Sequence, residues 1–265
     1  MRFHTRSLTT GAGRAGLFVL LLILLPHTAT AQADQTTHRL AEDLEVRLLA
    51  EGVWLHTSWR DLEGVGRFPS NGLIVVSERQ ALLIDTAWGD ALTQRLLHWI
   101  VEERGLSVEG AVFTHAHDDR MGSIGLLKQA GVPTYALPQT GEGAARQQWP
   151  LPDSLLAPAQ TISIGSRTIE TFFPGPGHTS DNLVVWLAQE KLLFGGCMIR
   201  PARSKSLGNL ADAVVEEWPR SVARLLSRYD AVQTVVPSHG PAGDRGLLEH
   251  TLHLLKEHGK KQAGG

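Results

Sequence analysis

The chain has 265 residues, which is enough for one large domain or two small ones. A hydrophobic content of 42% and a charged content of 20% are typical of a folded globular protein and exclude a disordered one. The formal net charge is −2 and the sequence has no basic stripe, so we expect no nucleic-acid partner.

The N-terminus has the pattern of a secretory signal peptide. Three arginines precede an uninterrupted apolar run, Leu17–Leu25, and small residues follow at Ala29, Ala31 and Ala33. This pattern predicts cleavage after Ala31 or Ala33, and the apolar run is too short for a membrane anchor, which needs about 20 residues. We therefore predict a signal peptide over residues 1–31, a single domain over residues 32–265, and a periplasmic protein that does not associate with the membrane after cleavage.

The first half of the mature chain alternates segments typical of strands and helices. Strands are predicted at Val53–Thr57, Asn71–Ser77, Ala81–Asp85, Ala111–Thr114 and Thr134–Leu137. Glycines and a proline between the first two strands predict a loop over Trp59–Ser70. The apolar residues of Asp90–Arg104 have the spacing of an amphipathic helix, and Gly122–Ala130 is predicted as a second helix.

The second half has the same alternation. Strands are predicted at Thr161–Ile164, Thr168–Phe173, Leu183–Leu187, Lys191–Phe194 and Val232–Val236. Helices are predicted at Pro219–Tyr229 and Leu247–Glu257. Strands followed by helices, twice over, favour an α/β fold in which two sheets pack face to face with helices outside.

The strongest chemical signal is the segment His115-Ala116-His117-Asp118-Asp119-Arg120, directly after a predicted buried strand. Three more side chains that bind metals follow among glycines and prolines at other strand ends: His178, Cys197 and His239. Imidazole, carboxylate and thiolate are the usual zinc ligands. Loops at one end of a layered domain are where such a site is built, so these residues predict a zinc centre.

Most of the 12 histidines need no such role. Eight of them are interpreted as structural or solvated: His4, His27, His38, His56, His98, His250, His253 and His258. Cys197 is the only cysteine and cannot form an internal disulfide, so its thiol is either buried and inert or used in chemistry. A metal ligand is the simpler explanation for an unpaired cysteine in an exported protein.

At these residues the chain resembles the class B metallo-β-lactamases, in the subclass with a cysteine ligand on the second zinc, and among them the Verona-integron type. The likeness also runs through Pro69–Val75, Leu83–Gly89, Asp181–Val185, Gly195–Cys197 and Glu217–Pro219. The resemblance implies an αββα sandwich with two Zn²⁺ ions per chain. It implies that one ion is held by His115, His117 and His178, and the other by Asp119, Cys197 and His239.

The resemblance also implies the reaction, which is opening of the ring of penicillins, cephalosporins and carbapenems by a zinc-bound hydroxide, giving antibiotic resistance. Asp119 would hold the second zinc and orient the hydroxide. Asn209 resembles the family residue that contacts the lactam carbonyl, although Gly208-Asn209 is also a common turn. Sister thioester hydrolases carry a ligating histidine at the position of Arg120, and this difference favours a lactamase.

Four further residues complete the predicted site. Arg200 is expected to bind the substrate carboxylate, with Arg203 and Lys205 as competitors for the same role. Trp59 is expected to cover the substrate from the loop before Pro69, although an exposed loop tryptophan could also pack back on the sandwich. Asp85 and Arg120 are expected to orient the metal ligands, although Asp85 could equally be a strand-end cap.

Two other interpretations stay open. A different hydrolase on the same fold would act on thioesters, lactones or phosphoesters. An exported zinc-binding protein would hold the metal through the same six residues without turnover. For the protein itself we expect a monomer whose partner is a small β-lactam.

Overall fold

Thirteen strands form two sheets in the part of the chain that the structure, a computed structural model, describes, which is residues 37–263. The predicted signal peptide, residues 1–31, lies outside the described residues. None of the helices within 37–263 is long and apolar enough to cross a membrane.

The first sheet has eight strands that follow one another in chain order. They are β1 (Thr37–Ala41), β2 (Leu44–Ala50), β3 (Val53–Leu62), β4 (Gly66–Ser77), β5 (Gln80–Ile84), β6 (Ser107–Val112), β7 (Thr134–Ala136) and β8 (Ser154–Leu155). Strands β1 to β5 pair antiparallel, and β5 to β8 pair parallel.

The second sheet has five strands in the order β13-β12-β11-β10-β9. Their bounds are β9 (Ala159–Ile164), β10 (Arg167–Phe172), β11 (Val184–Leu187), β12 (Leu192–Gly196) and β13 (Thr234–Pro237). Only β12 and β13 pair parallel; the other neighbours are antiparallel.

Helices cover the outer face of each sheet. They are α1 (Asp90–His98), α2 (Asp118–Met121), α3 (Ile124–Gln129), α4 (Pro138–Arg146), α5 (Trp218–Arg228) and α6 (Gly246–Ala263). A π-helical segment, Trp99–Glu103, continues α1.

Three separate apolar clusters define the layers. One joins the first sheet to α1 and α3 through residues such as Leu83, Leu96 and Leu127. The second lies between the two sheets, and the third joins the second sheet to α5 and α6. A sheet buries each face against another layer, so this arrangement gives the four layers of an αββα sandwich. The predicted fold class is confirmed.

Most predicted elements are present with small shifts at their ends. The predicted helix Asp90–Arg104 is wrong in detail, because α1 ends at His98 and the π-helical segment follows. The sequence interpretation did not include β1, β2, β8, α2 or α4. Helix α4 was missed because its sequence, Pro138–Arg146, has few large apolar residues and packs through glycine and alanine instead.

The predicted loop Trp59–Ser70 is also wrong. Strands β3 and β4 pair through this region, with Trp59 opposite Pro69 and Leu62 opposite Gly66. The pairing tolerates Pro69 because proline in a sheet removes only one ladder donor, and glycine supplies the tight turn at the tip. The segment is therefore a long hairpin that reaches beyond the sheet.

Candidate metal centre

Three of the predicted ligands, and Asp85 behind them, lie where parallel strands end. Asp85 directly follows β5. His115 comes three residues after β6, the strand that pairs parallel with β5. In the other sheet Cys197 directly follows β12, and His239 comes two residues after its parallel neighbour β13. The carboxyl ends of parallel strands meet at one edge of a sheet, so each sheet brings its own ligands to the same end of the sandwich.

Asn71 on β4 joins the two halves of this edge. Its backbone N–H donates to the carbonyl oxygen of Ser238 at 2.7 Å, and its side-chain amide donates to Pro237 at 2.9 Å and to Gly240 at 2.8 Å. These bonds fix the loop that carries His239 against the first sheet. The sequence interpretation gave Asn71 no role beyond the family resemblance.

Three histidine nitrogens converge at this edge. Nδ1 of His117 lies 3.1 Å from Nε2 of His115 and 3.3 Å from Nε2 of His178. A tetrahedral zinc ion with bonds of roughly 2.0–2.1 Å would hold its nitrogen ligands about 3.3–3.4 Å apart. The spacing therefore fits one zinc ion between the three rings.

Hydrogen bonds on the far sides of the rings set which nitrogen faces the centre. The hydroxyl of Thr114 donates to Asp85 Oδ2 at 2.8 Å, so its oxygen accepts from Nδ1 of His115 at 3.2 Å. Nε2 of His117 donates to Oδ2 of Asp212 at 3.0 Å. In both rings the remaining nitrogen keeps its lone pair for a metal.

The rings are kept neutral as well as oriented. Burial, together with the neighbouring His117 and His178, holds the pKa of His115 well below its ordinary value. Burial lowers the pKa of His178 to about 4, and the positive charge of Arg200 acts in the same direction. Only the neutral imidazole binds a metal, so these shifts favour loading.

A second triad lies beside the first. Sγ of Cys197 is 3.3 Å from Nε2 of His239, and that nitrogen is 3.5 Å from Oδ2 of Asp119. With Zn–S bonds of about 2.3 Å and Zn–N and Zn–O bonds of about 2.0–2.2 Å, a tetrahedral ion requires separations of about 3.4–3.6 Å. Nδ1 of His239 donates to the carbonyl of Pro69 at 2.8 Å, which leaves Nε2 to face the centre.

The two triads form one cluster. His115 belongs to overlapping groups with Cys197 and with Asp119 in which all ligand atoms lie within 4.8 Å of one another. Gly196, just before Cys197, has φ +58°, a left-handed conformation that glycine adopts without steric cost. This turn directs the thiol back toward the histidines.

Arg120 and Asp85 lie beneath both triads and are fully buried. Arg120 donates to Oδ2 of Asp119 at 2.9 Å, to Oδ2 of Asp85 at 3.3 Å, and also to Ser70 and to the backbone of Asn71. Asp85 accepts from the backbone and hydroxyl of Thr114, both at 2.8 Å. The structure thus places both residues behind the ligands, and their role in orienting the ligands stays a prediction.

This network sets the charge of both carboxyl groups. Burial alone would raise the pKa of Asp119, but the charge of Arg120 outweighs it and holds that pKa well below its usual range. For Asp85 burial prevails over Arg120 and Thr114 and raises the pKa to about 6. Asp119 is thus kept as a carboxylate that faces the metal site.

A cavity of about 590 Å³ opens over the cluster. Its wall includes the loop Ala116–Asp119, the end of α4, Thr179–Asp181, Asn209 and Asp212. The cavity thus gives a small organic molecule access to His117 and Asp119, the two ligands that line it.

Comparison with known proteins agrees with this geometry. Residues 65–239 match the family model described as the metallo-β-lactamase superfamily, which spans more than half of the chain and all six candidate ligands. The chain belongs to the metallo-β-lactamase family. A metallo-β-lactamase type 2 of Bacillus cereus is 39% identical over 251 residues, covering 92% of this chain and 98% of that protein. One from Pseudomonas aeruginosa is 40% identical over 219 residues, covering 81% and 87%.

Solved structures of the family have the same fold. A metallo-β-lactamase from Pontibacter korlensis is 45% identical, with a TM-score of 0.78 over 80% of this chain and 99% of that one. The FIM-1 metallo-β-lactamase from Pseudomonas aeruginosa, solved in a mono-zinc form, is 38% identical, with a TM-score of 0.77 over 83% and 98%. The predicted recognition is confirmed at the level of the family.

The structure places some of the predicted substrate-binding residues of this metallo-β-lactamase in the cavity wall and others away from it. Asn209 lines the cavity and also makes a turn, since its Oδ1 accepts from the N–H of Ala211 at 3.0 Å. Arg200 is buried beneath Gly208 and does not line the cavity. Its role stays a prediction, as do those of the exposed competitors Arg203 and Lys205.

Trp59 requires a correction. It lies on β3 rather than in a loop, its ring packs under the guanidinium of Arg67 at 5.3 Å, and it does not line the cavity. The aromatic ring nearest the site is instead Phe68, whose centroid is 4.8 Å from that of His239. The loop placement was wrong because the interpretation lacked the hairpin register, which puts Phe68 beside the metal cluster. The contact of Trp59 with substrate stays a prediction.

Sequence reasoning also missed the residues that hold the ligand loop. Oδ2 of Asp118 accepts from Arg60 at 2.5 Å and from Nε1 of Trp88 at 2.8 Å. Asp212 on the opposite loop holds His117. Asp118 borders a ligand on each side in the sequence, which was the one available signal. Asp212 has no local signal, because a contact across 95 residues arises only in the folded chain.

His56 is fully buried beneath this network. Its interpretation as a structural residue is confirmed. Its Nε2 lies 3.3 Å from the carbonyl oxygen of Asp85, to which it donates, and burial lowers its pKa to about 3. The unfolded chain binds a proton at its ordinary value of 6.5 and the folded chain does not. Stability from this group is therefore present above pH 6.5 and is lost as the pH falls toward 3.

We expect His56→Gln, which retains a side-chain donor, to reduce the pH dependence of stability. Between pH 5.5 and 4.5 the slope of the unfolding free energy should be about 1.4 kcal/mol per pH unit smaller than in the parent protein. Urea unfolding across this range measures it. His98→Gln is the control, since the His98 side chain is 56% exposed. Equal slopes in the parent and His56→Gln would contradict the prediction.

Proposed function

We propose that this protein hydrolyses the β-lactam ring of penicillins, cephalosporins and carbapenems with two zinc ions per chain, and thereby confers antibiotic resistance. The observation that carries the proposal is the pair of adjacent triads, one of three histidines and one of Asp119, Cys197 and His239, opening into a single cavity. The relatives named metallo-β-lactamase support the same reaction.

The donor set fits zinc. Imidazole and thiolate ligands at tetrahedral spacing are typical of zinc, and magnesium or calcium would require oxygen ligands instead. Bound zinc supplies Lewis acidity and lowers the pKa of a coordinated water to about 7. A structural zinc site is usually a closed cage of four protein ligands, whereas each triad here leaves a position for water or substrate.

The chain's own residues would then bind and orient the substrate. Asp119 lines the cavity and is held as a carboxylate by Arg120, so it can orient a water beside the second triad. Oδ1 of Asn209 accepts a hydrogen bond from the backbone N–H of Ala211. The side-chain NH2 group of Asn209 therefore remains to donate to a lactam carbonyl in the cavity. Cys197 is buried against His239 and acts as a ligand rather than a nucleophile.

The decisive experiment is hydrolysis of a carbapenem and a penicillin by the purified mature protein. We expect rapid turnover that a chelator abolishes and added zinc restores, with two zinc ions per chain by elemental analysis. Two bound zinc ions without turnover of any β-lactam would refute the proposal. Turnover of a thioester or lactone would then identify another hydrolase. No turnover of any of these substrates would identify a zinc-binding protein.

We also propose that the protein is exported to the periplasm, after cleavage of residues 1–31, and acts as a monomer. The apolar run Leu17–Leu25 and the small residues after it support export. The N-terminal sequence and fractionation of the expressed protein test its export, and light scattering tests its mass. A cytoplasmic protein that retains Met1 would refute export, and a dimeric mass would refute the monomer.

A further inference from the structure

Arg146, at the last turn of α4, is the one cationic side chain in the wall of the cavity among the residues that the structure describes. It takes no part in the metal cluster, and the function proposed above does not use it. Within residues 37–263 its guanidinium forms no ion pair, even with Glu142 one helical turn earlier. A positive charge at the end of a helix also complements the helix dipole, which is the ordinary role for such a residue.

The end of α4 is fastened to the ligand loop, so Arg146 is presented by a fixed element. Gly143 has no side chain, and a Cβ there would lie 2.5 Å from that of Ala116, the residue between His115 and His117. Nε2 of Gln147 donates to the carbonyl of Ala116 at 2.6 Å. The position that a Cβ of residue 143 would take is 3.7 Å from Nη2 of Arg146. The guanidinium thus lies next to the loop that carries two ligands.

The acidic residues in the same wall already have partners. Asp118 accepts from Arg60 and Trp88, Asp119 from Arg120, Asp181 from the N–H of Ala116 at 3.0 Å, and Asp212 from His117. Arg146 alone among the charged groups of the cavity is left without a partner in the described chain. An anionic group of a bound molecule would supply one.

We propose that Arg146 is a specificity-determining residue that binds a second carboxylate, carried on the acyl side chain of a β-lactam. The inference rests on the proposed lactamase function. The cavity is lined by the ligand loop and the end of α4, and also by residues 179–181, Asn209 and Asp212. Because Arg146 lines the same cavity as His117, Asp119 and Asn209, a substrate whose ring lies over the metal cluster can bring its acyl side chain to Arg146.

Carbenicillin and benzylpenicillin are the matched probes, because they differ by one carboxylate on the side chain. We expect Arg146→Ala to lower the ratio of kcat/KM for carbenicillin to that for benzylpenicillin by about two- to fivefold, mainly through KM. Arg146→Glu should lower the ratio further, and Arg146→Lys should retain most of it. High salt should bring the ratio of the parent protein toward that of Arg146→Ala.

Arg220→Ala is the control, since Arg220 is an exposed arginine on α5 that does not line the cavity. An unchanged ratio in Arg146→Ala and Arg146→Glu would overturn the inference while leaving the lactamase function in place. An equal fall for both penicillins would also overturn it, since it would show a general rather than a side-chain contact. Failure of the zinc-loaded parent to open benzylpenicillin would overturn both proposals.

Discussion

Replacing Arg120 with methionine is expected to lower the free energy of unfolding by about 3–5 kcal/mol. The side chain is fully buried and is in contact with two carboxyl groups, Asp119 and Asp85. In the metal-free protein, methionine fills part of the volume but leaves Asp119 and Asp85 without a compensating charge, and buried carboxylates without a partner are costly. Chemical unfolding followed by tryptophan fluorescence measures the loss.

Arg67→Met is the matched control for this substitution. Arg67 also pairs with a carboxylate, that of Asp43, but both side chains are 43% exposed. An exposed ion pair contributes up to about 1 kcal/mol, so this variant should remain close to the parent. If Arg120→Met cost no more than Arg67→Met, the buried network would not be the source of stability inferred here.

Cys197→Ala is expected to remove one metal site and to lower β-lactam hydrolysis at least about 100-fold, since substitutions even behind the ligands cost about 10–100-fold in affinity or activity. The substitution takes Sγ away from its position 3.3 Å from His239. The bound metal should fall from two ions to about one. In protein loaded with cobalt, the thiolate-to-cobalt charge-transfer band should disappear.

A substitution in the other triad separates this effect from general damage. His178→Ala removes a ligand of the histidine site and should keep the charge-transfer band, because Asp119, Cys197 and His239 remain together. Loss of the band in both variants would indicate that the two triads do not form separable sites. Two metal ions and full activity in Cys197→Ala would show that the thiol is not a ligand.

The ligands could be predicted from the sequence because their signal is local. His115, Cys197 and His239 lie within three residues of a strand end, and His178 lies in the loop between β10 and β11. All four lie among small or turn-forming residues, and a strand can be identified from its own apolar pattern. The family resemblance added the assignment of the ligands to two triads, which the local pattern left open.

The sequence was less informative where a residue's neighbours come from distant segments. Trp59 was predicted to lie in a loop, but it lies on β3, and the register of β3 with β4 places Phe68 beside His239. The burial of Arg200 beneath the turn at Gly208 could not be predicted either, and its role in binding the substrate carboxylate stays a prediction. Short glycine-rich elements such as α4 were missed, because close backbone packing leaves little apolar periodicity in the sequence.

The sequence by itself therefore determined the layered α/β fold and the identity of the six candidate ligands, because strand patterns and turn residues are properties of short segments. Only the tertiary structure decided which nitrogen of His117, His115 and His239 faces the metal cluster, through Asp212, Thr114 and Pro69 respectively. It also decided that Arg146 lines the cavity and, among residues 37–263, has no ion-pair partner, while each neighbouring acid has a partner. Both depend on contacts between segments far apart in the chain, and no local pattern encodes such contacts.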